Sequence, residues 1–202
     1  MVSDHKRIVG ILLAAGRGER FGGDKLLAKA RAGVSADGAR VHGDSIGVAA
    51  CRNLVAALPD VIAVVRPHDT VLAEALAATG ARVVRCANAD DGMGASLACG
   101  VRATPEAAGW IVALGDMPWI AASTIEAVAR AIAGGAVVAA PFYRGQRGHP
   151  VGFGAGCYSE LAALGGDDGA RSVVAKHRDA PLRIDVDDAG SLRDVDRPSD
   201  LD

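Results

Sequence analysis

The chain has 202 residues, enough for one domain with a sizeable core, and half of it is apolar while only 3% is aromatic. That core must be built mainly from Ala, Val, Leu and Ile. The 22 Lys and Arg against 24 Asp and Glu leave a formal charge of −2, so the chain has no general attraction to nucleic acid or an anionic membrane, and any positive field must be local. No apolar run approaches the roughly 18–20 residues that cross a bilayer, and "MVSDHKRIVG" lacks the apolar stretch and small-residue cleavage site of a signal peptide. A cytoplasmic location is the default expectation. Cys51, Cys86, Cys99 and Cys157 are scattered without C-x-x-C spacing, which argues for reduced packing residues and against a zinc site.

Short β-branched runs alternate with alanine-rich helical stretches. The first strand candidate is 8–13, followed by a polar, glycine-rich stretch at 28–44 with a turn expected at Asp37-Gly38. Then come a helix at 45–57, a strand at 61–66, a helix at 68–79 and a strand at 81–86. A helix at 94–102, a strand at 110–114, a helix at 122–133 and a strand at 136–140 continue the pattern. Each strand is nearly continuous in apolar residues, as in a parallel sheet buried on both faces. The spacings fit crossover units, so the class is α/β: a three-layer, mostly parallel, Rossmann-like sheet with helices on both faces. From 141 the alternation gives way to "PFYRGQRGHPVGFG", a helix-like 156–164, "GGDDGAR", a helix-like 170–177 and a strand at 181–186. This less regular half should pack on the same sheet, making one domain over 1–202. Ligands of such sheets sit outside the carboxyl ends of the strands, which directs attention to loops 14–25, 87–93, 115–119 and 141–150.

The segment "ILLAAGRGERFGGDKLL" turns a buried strand into a loop with Gly16, Gly18, Gly22 and Gly23 around Arg17, Arg20 and Lys25. Glycines permit tight turns and close approach of backbone N–H groups to phosphate oxygens. The spacing departs from G-x-G-x-x-G, strand 61–66 ends in Arg66 where a dinucleotide site needs an acid, and Lys25 is not in G-K-[ST]. Three cations within nine residues suit a triphosphate whose charge grows on a leaving pyrophosphate; a solvated basic turn is the plainer reading.

Four further segments carry candidates. "LGDMP" puts Asp116 at a strand's carboxyl end, where one carboxylate could hold Mg²⁺ or merely sit in a Pro-containing turn. In "RDVDRPSDL", Asp194 and Asp196 share a face if the chain is extended, although helix-start chemistry is an equal reading. "NADDGMGASLACG" offers the Asn88 amide for a base edge, together with Ser96 as a helix-start residue and Leu97 as core. His149-Pro150 in "RGHPVGF" reads first as a turn.

In their order and spacing these segments resemble the MobA-like nucleotidyltransferases, and within them are most similar to the molybdenum cofactor cytidylyltransferases. The likeness runs over residues 8–201 and rests on L-A-A-G-x-G-x-R-x-G-x-x-K-x-L, N-x-x-x-G-M-x-x-S-L-x-x-G, G-D-M-P, G-H-P-V with G-D-x-G-A-R, and a D-x-D element. It implies a fold of the nucleotide-diphospho-sugar transferase type, with a nucleotide-binding half over about 1–118 and an acceptor half over about 119–202. By the same resemblance the nucleotide is held by Leu13, Ala14, Ala15, Gly16, Arg17, Gly18, Lys25, Asn88, Gly92 and Ser96. Arg20, Lys25 and Asp116 are the implied catalytic groups. Mg²⁺, or Mn²⁺, is expected at Asp116 with Asp194 and Asp196. His149, Pro150 and Arg171 face the acceptor, a phosphorylated small molecule such as molybdopterin. Arg197 and Ser199 replace the family's Thr and Glu, which leaves open which aspartate reaches the metal.

Ala14-Ala15-Gly16 matches the cytidylyl-using relatives, whereas guanylyl-using ones read A-G-G, so CTP is the expected donor. The expected reaction moves CMP onto the acceptor phosphate and releases pyrophosphate, with no protein nucleophile. The product would pass to a molybdoenzyme or its chaperone; no nucleic acid or membrane partner is expected. Guanylyl or sugar-phosphate transfer on the same fold, an NAD(P)-dependent oxidoreductase and a non-catalytic nucleotide-binding protein are the alternatives.

Overall fold

A computed structural model describes residues 7–16, 18, 21, 23–29, 33–34, 40–41, 43–177 and 181–201. Arg17, Arg20 and the expected Asp37-Gly38 turn lie outside the described residues.

The first half runs β1 (Ile8–Leu13), a 3₁₀ turn (Lys25–Leu27), a small antiparallel ribbon of β2 (Gly33–Val34) and β3 (Arg40–Val41), α1 (Ile46–Ala57), β4 (Val61–Val65), α2 (Thr70–Ala77), β5 (Arg82–Arg85), α3 (Met93–Arg102) and β6 (Gly109–Leu114). The second continues with α4 (Ala122–Ala133), β7 (Val138–Tyr143), β8 (Gln146–Arg147), β9 (Val151–Gly154), α5 (Tyr158–Ala162), α6 (Arg171–Lys176) and β10 (Pro181–Asp185). The main sheet has the order β10-β7-β9-β6-β1-β4-β5, with β8 hairpinned onto β7. Strands β5, β4, β1 and β6 are mutually parallel, as are β10 and β7.

Successive residues of β1 point to opposite faces, so Leu12 packs into a layer with Ile46, Leu54, Ile111 and Val128, and Ile11 into one with Ile62, Leu97, Trp110 and Phe153. Both Ile11 and Leu12 are fully buried, which makes β1 the centre of a three-layer sandwich and bears out the expected class. Among the described residues no helix is long and apolar enough to cross a membrane, and all four cysteines are free.

Three local expectations are corrected. Strand β9 lies antiparallel between β6 and β7, where no strand was foreseen. "VGFG" is too rich in glycine to read as a strand, yet a Cβ on Gly152 would stand 2.6 Å from Ile132 and 2.8 Å from Val128, so α4 leaves room for hydrogen alone. The run 81–86 is an edge strand with Arg82 and Arg85 exposed, not a strand buried on both faces. The helix-like 156–164 is a 3₁₀ turn (Ala155–Cys157) leading into the short α5.

Candidate active site

Strands β1 and β6 run side by side to Leu13 and Leu114, and their loops leave the same edge of the sheet. Gly115 N–H donates to the Leu13 carbonyl (2.9 Å), extending the pairing one step and delivering Asp116 beside the first loop. A cleft of about 560 Å³ opens there, lined from the first loop by Leu13, Ala15, Gly16, Gly18 and Lys25. Gly92 and Ser96 line it from the start of α3, with Asp167 from the loop packed against that start, and Asp116 and Asp196 complete the lining.

The first loop closes on itself through Gly18. Its φ is +61°, and a Cβ there would lie 2.9 Å from the Gly23 carbonyl and 3.1 Å from Lys25 Cβ, so only glycine permits the fold-back. Lys25 then reaches across the cleft, with Nζ 2.8 Å from Asp116 Oδ2 and 3.8 Å from Asp196 Oδ1. Ala14 is buried, with its N–H on the Val64 carbonyl (2.9 Å), and is not among the cleft-lining residues.

The two distal aspartates arrive on an extended segment. Val195 N–H donates to the Asp116 carbonyl (2.9 Å) and its side chain is fully buried, while Asp194 and Asp196 alternate to the other side. One carboxylate oxygen from each of Asp116, Asp194 and Asp196 lies within 4.8 Å of the others. Three hard oxygen donors that can converge on one point fit Mg²⁺ or Mn²⁺ and would suit a soft metal poorly. The segment is anchored by the buried Asp188, which accepts from Ala121 N–H (2.9 Å), Thr124 Oγ1 (2.6 Å) and Gly190 N–H (3.0 Å). Arg193 lies over the Trp119 ring at 3.7 Å and pins the segment from outside.

The start of α3 corrects a local reading. Ser96 is not a helix-start cap: it sits within the first turn, and its Oγ donates back to the Gly92 carbonyl at 3.4 Å. Gly94 N–H donates to the Gly166 carbonyl (2.8 Å), and a Cβ on Gly94 would stand 2.5 Å from the Gly165 carbonyl. A Cβ on Gly92 would collide with Asp167 and Gly166. The glycine-rich loop around 165–169 therefore rests on this helix start and carries Asp167 into the cleft.

Several sequence candidates stand elsewhere. Asn88 is exposed, accepts on Oδ1 from Cys86 Sγ (3.3 Å) and does not line the cleft. Arg171 opens α6 with its side chain exposed, also outside the cleft lining. His149 and Pro150 are joined by a cis peptide bond, and neither lines the cleft. His149 N–H donates to the Ser191 carbonyl (2.8 Å), while its Nδ1 is buried without a partner among the described residues. Burial, and secondarily Arg147, push the His149 pKa below its usual value, with Asp116 opposing them. Phe21, Asp90 and Asp167 line the cleft without having been singled out. Asp167 had a signal, twin aspartates bracketed by glycines, but only the tertiary contact with α3 reveals which wall it joins.

Comparison with known proteins extends this geometry. The chain matches the MobA-like NTP transferase domain over residues 10–181. It is 25% identical to the purine catabolism protein PucB of Bacillus subtilis over 206 residues, covering 96% of this chain and 94% of that protein. Rv0371c from Mycobacterium tuberculosis superposes with a TM-score of 0.79 at 27% identity, covering 96% of this chain and 95% of that one. The same protein in complex with manganese gives 0.76 at 26% identity and the same coverage. A nucleotidyl transferase from Methanothermobacter gives 0.78 at 23%, covering 96% and 94%, a likeness of fold. Matched to the family's domain over residues 10–181 and superposable on its solved relatives over nearly its whole length, the chain belongs to the MobA-like NTP transferases and is a nucleotidyltransferase.

Proposed function

We propose that the protein transfers CMP from CTP to the phosphate of a small acceptor, molybdopterin, with release of pyrophosphate. The observation that carries this reading is the convergence of Lys25, Asp116, Asp194 and Asp196 in one cleft at the carboxyl ends of β1 and β6. Three carboxylates with one ammonium suit a triphosphate that arrives with a divalent cation, and poorly suit a triphosphate alone. Asp116, Asp194 and Asp196 would hold Mg²⁺ or Mn²⁺, which offsets charge on the phosphate oxygens when bound. The manganese complex of Rv0371c supports a divalent ion in this fold.

The chain's own part is positioning and charge. Lys25, with Arg17 and Arg20, receives the charge that develops on the leaving pyrophosphate. Backbone N–H groups of the glycine loop at Gly16 and Gly18 orient the triphosphate. Gly92 and Ser96 form the wall beside the nucleoside, Asn88, which stands outside the cleft lining, is assigned to the base edge, and Ala14-Ala15-Gly16 supports cytosine. The acceptor phosphate is already ionised near neutral pH and attacks the α-phosphorus directly, so no protein nucleophile is involved. On the acceptor half we assign the incoming pterin to His149, Pro150 and Arg171, which lie outside the cleft lining. A relative whose name ties it to purine catabolism fits an acceptor that serves hydroxylases of the xanthine dehydrogenase type. The product then passes to such an enzyme or its chaperone in the cytoplasm.

Pyrophosphate release from each of the four NTPs, with Mg²⁺ or Mn²⁺ and a panel of acceptors including molybdopterin, tests this. CTP with molybdopterin should be fastest, and Asp116→Asn should lower turnover by about a hundredfold or more. Faster release from GTP would move the assignment to guanylyl transfer. Turnover unaffected by Asp116→Asn would remove the metal-assisted reading.

A further inference from the structure

Lys25 is placed oddly for a residue whose partner is a phosphate. Its ammonium makes a 2.8 Å ion pair with Asp116 Oδ2 and stands 3.8 Å from Asp196 Oδ1, the carboxylates that converge with Asp194. The pair is shielded: the Lys25 side chain is 13% exposed and that of Asp116 25%, so solvent screens their attraction weakly. A divalent cation on these oxygens would have to coordinate at about 2.1 Å and draw them inward. An ammonium within hydrogen-bond length of an Asp116 carboxylate oxygen opposes that by like charge and by holding the carboxylate in its own geometry.

We infer that Lys25 is an internal competitor for the metal, so that free cation binds poorly and cation and triphosphate bind as a coupled pair. This rests on the reading of Asp116, Asp194 and Asp196 as metal ligands, and adds to it an order of events. The same cleft that holds the carboxylates is lined by Gly16 and Gly18, where the triphosphate would lie. A phosphate oxygen there would give Lys25 a further anionic partner beside Asp116 and Asp196. Once the ammonium turns to phosphate, Asp116 and Asp196 are released to the cation. Each ligand thereby removes an obstacle to the other, which is positive coupling with reciprocal magnitude. The Lys25 contact with Asp116 disfavours the metal-only state until nucleotide is present.

The test is Mn²⁺ affinity of the nucleotide-free protein, measured from the EPR signal of unbound ion. Lys25→Met and Lys25→Gln should each bind Mn²⁺ about tenfold more tightly than wild type. The further tightening produced by a non-hydrolysable CTP analogue should shrink in both variants by a similar factor. Lys29→Met is the control for plain loss of charge: Lys29 is exposed four residues on, and its removal should change Mn²⁺ affinity by no more than about twofold. Asp116→Asn should weaken Mn²⁺ binding further in wild type and abolish the gain in the Lys25→Met background. If the Lys25 variants bind free Mn²⁺ no better than wild type while Asp116→Asn still weakens binding, the competition is overturned and the metal site stands. If Lys29→Met matches them, the effect is long-range charge and the competition is again overturned. Mn²⁺ affinity indifferent to Asp116→Asn would sink both the competition and the metal site.

Discussion

His149 combines a buried Nδ1 without a described partner with a backbone N–H tied to Ser191. Burial disfavours its charged form, Arg147 adds to that, and Asp116 only partly compensates, so the folded-state pKa lies below the ordinary value near 6.5. Above that value the ring is neutral in folded and unfolded chains and costs nothing. As pH falls through it, the unfolded chain takes up a proton that the folded one resists, and stability declines. His149→Gln should therefore flatten part of the drop in melting temperature between about pH 7.5 and about pH 5.5, measured against wild type in the same buffers. An identical drop in both proteins would show that another group sets the acid limb. Lys25 and Asp116, by contrast, could be picked out in the sequence as candidates, Lys25 from its glycine-rich loop with two arginines and Asp116 from its place just past an apolar strand, although an ordinary turn also accommodates either. Asp167 could not be assigned to a wall, since an aspartate among glycines suits any exposed turn and only its seat against Gly92 makes it part of the cleft.

At the level of elements, the knot around Asp188 does the most to fix the site. One buried carboxylate caps the start of α4 through Ala121 N–H and Thr124, and turns the following 3₁₀ segment (Ala189–Leu192) through Gly190 N–H. The segment bearing Asp194 and Asp196 is thus bolted to a helix rather than left as a tail. Thr124→Val keeps the shape of the side chain and deletes the 2.6 Å hydrogen bond to Asp188. It should cost about 1–3 kcal/mol in urea unfolding, because a buried carboxylate oxygen loses a donor. No measurable loss would mean that water or a neighbour replaces the hydroxyl. Periodicity located β1, β4, β6 and β7 to within a few residues, since buried parallel strands are apolar throughout. It missed β9 because α4 excludes side chains there, and the feature that permits this strand is the one that disguises it.

Across the whole molecule, β9 runs antiparallel between β6 and β7 and makes one continuous sheet of the two halves. Neither half owns a separate core: Leu12 of β1 and Val128 of α4 belong to one cluster, Ile11 of β1 and Leu161 of α5 to the other. Urea unfolding followed by tryptophan fluorescence, from Trp110 in β6 and Trp119 just beyond it, should coincide with the loss of far-UV ellipticity. Two separated transitions would indicate that residues after about 118 melt on their own. The loop around 165–169 also bears on how such a chain can change. Its carbonyls rest on Gly92 and Gly94 with no room for a side chain between, so its seat is set by backbone against backbone. Shortening or lengthening it by one residue would resize the Gly92–Ser96 end of the cleft from the far third of the sequence. On the proposed reading, breadth of nucleotide choice would then be tuned by loop length, with Gly16, Gly18 and Lys25 left in place.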